Sequence, residues 1–167
     1  MISMLSMIIF YLIVVPVSVF LHELGHALAA IGLTRKTVLM YVGSDQPGPK
    51  PTLVLGRLQL CLSWGLTGSV ATADDDEPLS KVQRIGIPLG GPLVSLLLVM
   101  AMLVIYLCVP MQPLFENLVF ASGVFNLINL CVTLTPVVYS AGPYAGRPSD
   151  GYRVLAAMGK RPPEPRA

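Results

Sequence analysis

From Met1 to Leu33 the chain is a nearly unbroken apolar run with no Lys or Arg, and its one charged interruption is His22-Glu23-Leu24-Gly25-His26. A run of this kind has few ways to fold. About twenty apolar residues span a bilayer, and the backbone groups inside lipid must be satisfied within the segment, which dictates a helix. His22 and His26 are the only two histidines, and Glu23 is the only acid before Asp45. On a helix, residues four apart share a face, so both imidazoles can address one metal ion. Glu23, adjacent in sequence, can reach a water at that ion. H-E-x-x-H also occurs by chance, and a buried His pair or a His-Glu helix cap is the bland alternative. Ionisable residues in a membrane segment are costly and mark function, which favours the metal reading.

Composition agrees. The chain is 54% hydrophobic and 12% charged, against about 25% charged residues in a soluble domain. A length of 167 residues fits one unit, residues 1–167. The net charge of +2 without a basic run gives no footprint for nucleic acid. Cys61, Cys108 and Cys131 form no CxxC pair and read as buried thiols. A cleaved signal peptide is not expected at 1–31, because no basic n-region precedes the long apolar stretch.

Three spans are predicted, at about 2–33, 85–109 and 114–138, with a turn at Pro110–Pro113. The fold class is an α-helical membrane protein carrying a small membrane-associated β-hairpin between its first two spans. All eleven Lys and Arg residues then fall on one side. The positive-inside rule makes that side cytoplasmic and puts the His pair towards it. The localisation is therefore a cell membrane, multi-pass, with the lipid bilayer as a partner. Residues 37–77 are too polar for a fourth span. Val38–Val42 and Thr52–Trp64 read as two strands around a turn at Ser44–Pro49. In the second of these, Leu58, Leu60, Leu62 and Trp64 alternate with Arg57, Gln59 and Ser63, a half-buried pattern. Asp74-Asp75-Asp76-Glu77 reads as a solvated loop.

A zinc hydrolase needs a third protein ligand beside the two histidines. Glu116 falls at the far end of the third span and Glu164 in a Pro-rich tail. Asp150 sits in Pro148-Ser149-Asp150-Gly151, just before the short helical run Tyr152–Met158, where the chain can return to the His pair. Glu77 is the rival candidate on the same side. Ser122, Asn126, Asn129 and Thr133 form one polar stripe on the third span. Polar groups at that depth face the protein interior or a wet cavity, and the stripe leads towards Asp150.

These residues resemble the site-2 protease family of intramembrane zinc metalloproteases. His22-Glu23-Leu24-Gly25-His26 is similar to the family's H-E-x-G-H. Gly91-Pro92-Leu93-Val94-Ser95 resembles its G-P-x-x-N/S element, with Ser95 where Asn is commoner. Asn129-Leu130, then Pro136 and Ser149-Asp150-Gly151, resembles its N-L…P…D-G element, although Val137–Arg147 intervenes here. The resemblance implies a minimal three-span core without a PDZ domain. It implies zinc held by His22, His26 and Asp150, with Glu23 as the catalytic base. Asn129 is expected to help polarise the scissile carbonyl, and the substrate is a peptide bond in or near a transmembrane segment of a membrane protein. The hairpin is expected to offer a strand edge to that segment once it unwinds. The competing readings are a membrane zincin with Glu77 as third ligand and a zinc-binding scaffold that does not cut. An intact Glu23 speaks against the scaffold.

Overall fold

The computed structural model describes residues 4–43, 51–73 and 78–160. Three helical stretches, Met4–Leu33, Lys81–Cys108 and Pro113–Leu134, are long and apolar enough to cross a membrane. The first is built of α1 (Met4–Ile9), a π-helical turn at Phe10–Val14, and α2 (Val15–Leu33). The wide turn ends just before Pro16, which has no N–H to continue the regular ladder. Val15 closes it by donating its N–H to the Phe10 carbonyl. The second stretch is α3 (Lys81–Cys108) and the third is α4 (Pro113–Leu134).

The helix ends obey local chemistry. Ser80 and Gln83 form a reciprocal capping box that starts α3 at Lys81, one turn before the apolar run begins. Pro113 opens α4, where a missing N–H costs nothing. The same helix stops at Leu134 instead of the expected 138. Thr135 is extended because Pro136 crowds the helical region for the residue before it.

α3 is the central helix. It packs against both α2 and α4, which touch each other only lightly. Its outer residues, among them Leu97, Leu103 and Leu107, are exposed. A continuous apolar surface of this kind suits lipid and would be an association hazard in water. Cys108 and Cys131 lie exposed and Cys61 is half-buried. The expectation of three buried thiols is thus corrected: the two helix cysteines sit on outward faces.

Between α2 and α3 lies a four-stranded mixed sheet in the order β2-β3-β1-β4. Its strands are β1 (Val38–Val42), β2 (Leu53–Leu55), β3 (Leu58–Leu62) and β4 (Gly68–Thr72). The expected hairpin of Val38–Val42 with Thr52–Trp64 does not form. β1 pairs with β3 in parallel, Val38 opposite Leu58, and with β4 in antiparallel. The described hairpin is β2–β3, turning at Gly56, whose φ of 58° suits glycine. The Ser44–Pro49 turn lies outside the described residues. Parallel pairing aligns Leu58 and Leu60 with Val38, Met40 and Val42. All five are buried in one cluster with Ala27 and Ala30 of α2. Leu62 and Trp64, expected on that same face, are 45% and 81% exposed. Arg57 instead serves the end of α2. It donates to the Thr34 carbonyl at 2.6 Å and to the Ile31 carbonyl at 3.0 Å, answering acceptors a helix C-terminus leaves unpaired.

α5 (Asp150–Ala157) comes after an excursion of the chain between residues 137 and 149. The excursion is tied at its base. Ser149 N–H donates to the Val137 carbonyl at 2.9 Å, and Ser149 Oγ donates to the Thr135 carbonyl at 2.6 Å. Val138 and Pro148 form an isolated antiparallel bridge. Ser149 also accepts from Tyr152 N–H and caps α5. The chain therefore leaves the end of α4, makes a loop, and returns to nearly the same point.

Candidate metal centre

His22 and His26 lie one turn apart on α2 and are both buried. Close helix packing puts them against α3. A Cβ on Gly25 would collide with the Gly90 backbone, and one on Gly90 with the Gly25 backbone. Backbone therefore meets backbone at this crossing, as small residues allow. Gly91 is placed so that a Cβ would run into Nε2 of both histidines. The space in front of the two nitrogens exists because residue 91 has no side chain.

Each histidine is held by its other nitrogen. His26 Nδ1 lies 2.8 Å from the Ile87 carbonyl, which can only accept and so marks Nδ1 as the protonated atom. Pro88 and Pro92 inside α3 bring no N–H for the Arg84 and Pro88 carbonyls, whereas the i+4 donor of Ile87, Gly91 N–H, lies 3.2 Å from the same His26 Nδ1. His22 Nδ1 lies 2.8 Å from Ser95 Oγ, and Ser95 is fully buried. Ile87 and Ser95 each offer an acceptor to a proton on Nδ1, and in that tautomer both Nε2 atoms turn lone pairs to the same space, as a pair of ligating imidazoles requires.

Asp150, the first residue of α5, closes the triangle. Its Oδ2 lies 3.5 Å from His22 Nε2 and 3.3 Å from His26 Nε2, and the two Nε2 atoms are 3.2 Å apart. Ligand bonds of about 2.0–2.1 Å at a tetrahedral zinc require edges of roughly 3.3–3.4 Å. The donor set and its spacing therefore fit that ion. Burial alone would push the Asp150 carboxyl up, but the two histidine rings beside it outweigh burial and hold the group down at about 2. The carboxylate is thus ionised at neutral pH, as a metal ligand must be. Gly151 explains the tight junction: a Cβ there would collide with the Leu134 carbonyl at the end of α4. Among the described residues His22, His26 and Asp150 are the only metal-competent cluster. Glu77 lies outside the described residues, as does the whole 74–77 run.

Glu23 is buried beside the histidines and lines the same cavity of about 240 Å³. Its side chain packs beneath Gly68 of β4, where a Cβ would strike the carboxylate stem. Asn129 also lines this cavity. Its Nδ2 donates to Ser95 Oγ at 3.3 Å and lies 3.2 Å from His22 Nδ1. The polar stripe of α4 does turn inward. Asn126 is buried and donates to Ser18 Oγ at 3.1 Å, one turn before His22, and Thr133 lines the cavity.

Four residues at or around this site escape a reading of the sequence. Ser95 is legible as part of a motif but not as the partner of His22. The Ile87 carbonyl carries no side-chain signal at all. Tyr144 and Tyr139, from the 137–149 excursion, line the cavity, and no periodicity marks them.

Three candidate spans with two histidines and an aspartate converging among them define a membrane protein built around a metal-binding site. Over residues 10–141, more than three-quarters of the chain, the sequence matches peptidase family M50, and the chain belongs to this family, the site-2 protease family of membrane metallopeptidases. No curated protein and no solved structure matches it. The matched stretch ends before Asp150, so the third ligand position rests on geometry.

Proposed function

We propose that this protein is an intramembrane zinc endopeptidase, with residues 1–167 acting as one catalytic unit on a transmembrane protein substrate. The observation that carries the reading is the 3.2–3.5 Å triangle of His22, His26 and Asp150, with Glu23 in the same cavity. His22, His26 and Asp150 hold the zinc, which when bound supplies an acidified water and a charge that polarises a carbonyl. Glu23 takes the proton from the attacking water and returns it to the leaving amine. Its buried position keeps the carboxylate close to the reacting atoms. Asn129 carries two hydrogens on Nδ2, of which Ser95 takes one. The other supports charge developing on the scissile carbonyl oxygen.

A transmembrane helix has its carbonyls bonded internally, so the substrate must unwind before it is cut. β4 lines the cavity through Gly68, Ser69 and Val70, and the unwound segment pairs with its outer edge. This moves the docking role from the expected hairpin to β4. The basic residues at the sheet end of the bundle support a cytoplasmic orientation for that end and for the site.

One experiment tests the assignment. Purified parent, His22→Ala, Asp150→Ala, Glu77→Ala and Glu23→Gln are compared for zinc content and for cleavage of a single-span membrane peptide. The expected result is about one zinc per parent chain, sharp loss in His22→Ala and Asp150→Ala, and retention in Glu23→Gln with cleavage down by several orders of magnitude. A parent that holds zinc and cuts no membrane peptide returns the scaffold reading. Zinc retained in Asp150→Ala but lost in Glu77→Ala returns the glutamate-ligand zincin.

A further inference from the structure

We propose that the 137–149 excursion is a strap over the outer edge of β4, with the Tyr144 hydroxyl as its latch. The inference rests on the reading that this edge receives the substrate. Thr67 C=O and Ala73 N–H both bond inward, to Gly43 N–H and Thr37 C=O. In an antiparallel strand the groups of alternate residues point to alternate sides. Gly68, Val70 and Thr72 therefore direct their backbone groups outward, where the described residues supply no further strand. Gly68 is the outward position nearest the catalytic machinery, since it packs on Glu23. Its N–H donates to the Tyr144 hydroxyl at 2.8 Å.

An extended substrate strand would present a backbone carbonyl to that same N–H. Tyr144 thus stands in for the substrate's acceptor. The strap is built to bring it there. Its base is stapled by Ser149, and its tip turns between Gly142 and Gly146, with φ of 78° and 79°. The Tyr139 ring lies 5.9 Å from the Tyr144 ring, and both line the cavity that holds Glu23 and Asp150. The Gly68–Tyr144 bond is a neutral one, of a strength that an incoming backbone carbonyl can replace. A folded helix offers no carbonyl to compete for Gly68, whereas an unwound segment does, so the strap selects for substrates that have already unwound.

The test uses the full chain, zinc-loaded and in lipid nanodiscs. Amide hydrogen exchange is read over residues 66–72, beside cleavage of a single-span peptide interrupted by Gly-Pro. Tyr144→Phe removes only the hydroxyl. A second variant replaces residues 140–145 by two glycines and keeps the Val138–Pro148 bridge and Ser149. In both, exchange over 66–72 should rise roughly three- to tenfold, the size of one lost neutral hydrogen bond. The peptide's KM should fall by a similar factor while kcat and zinc content hold. Unchanged exchange, slower cleavage at full zinc content, or loss of zinc in either variant overturns the latch. A parent that cuts no membrane peptide sinks the protease reading instead, while the exchange measurement still decides whether Tyr144 closes the edge.

Discussion

The two halves of the candidate metal centre are built by different physics. His22, Glu23, His26, Ser95 and Asn129 sit inside long helices and are fixed by packing of α2 and α4 around α3. Asp150 sits at the start of a short helix and is fixed by one serine that ties residues 135, 137 and 149 together. In the first half, position comes from helical spacing and from glycines that let two backbones touch. In the second, it comes from a loop whose ends meet. A loop closed at its base can lengthen at its tip without moving the helix beyond it, which is how residues 137–147 are accommodated without displacing Asp150.

The largest effect should come from the helix half. Gly91→Val puts a branched side chain where both Nε2 atoms face, so zinc binding should be abolished while the protein still inserts. Metal content after affinity purification checks this. Full occupancy would show that the two histidines have room to retreat, and the rigid-helix side of the comparison would fall.

A smaller effect is expected one contact further out. Ser95→Ala leaves His22 Nδ1 without its hydroxyl partner and should weaken zinc affinity roughly 10–100-fold, as is usual when a group orienting a metal-ligating histidine is lost. Chelator competition measures it. No change would mean that packing against α3 orients the ring without the hydroxyl.

The loop half should respond least, and in stability more than in metal affinity. Ser149→Ala removes a helix cap and leaves the Val137 N–H without its second partner, a cost of about 1–3 kcal/mol. Thermal unfolding of the zinc-loaded protein in lipid reads it. If this variant loses metal more readily than Ser95→Ala, the staple positions the ligand set more strongly than the helices do, and the comparison inverts.

The helical part of this arrangement was legible residue by residue. An apolar run of bilayer length containing His22 and His26 has one backbone solution, and four-residue spacing then puts both rings on one side. The polar stripe through Asn126 and Asn129 carried the same period and does face α2. The sheet was legible only in part. β1 was readable as a strand, and the burial of Leu58 and Leu60 could be read from alternation. The parallel pairing of β1 with β3 could not, because alternation fixes a face and not a partner or a direction. β4, with Gly68 and Ser69 and few branched residues, carries little strand signal, yet it is the strand that meets Glu23.

The sequence alone therefore determined the helices, the histidine pair with its adjoining Glu23, and a short field of acids from which a third metal-competent group could come. Those are properties of local spacing and of the cost of placing charge in lipid, and both are written in the order of residues. Only the tertiary structure decided that Asp150 lies within 3.5 Å of both histidines, that the Ile87 carbonyl and the Ser95 hydroxyl meet their Nδ1 atoms, and that Tyr144 reaches Gly68 across 76 positions of sequence. These contacts depend on how the chain closes on itself, which is set by glycine-sized gaps between backbones and by the staple at Ser149, and neither leaves a period in the sequence.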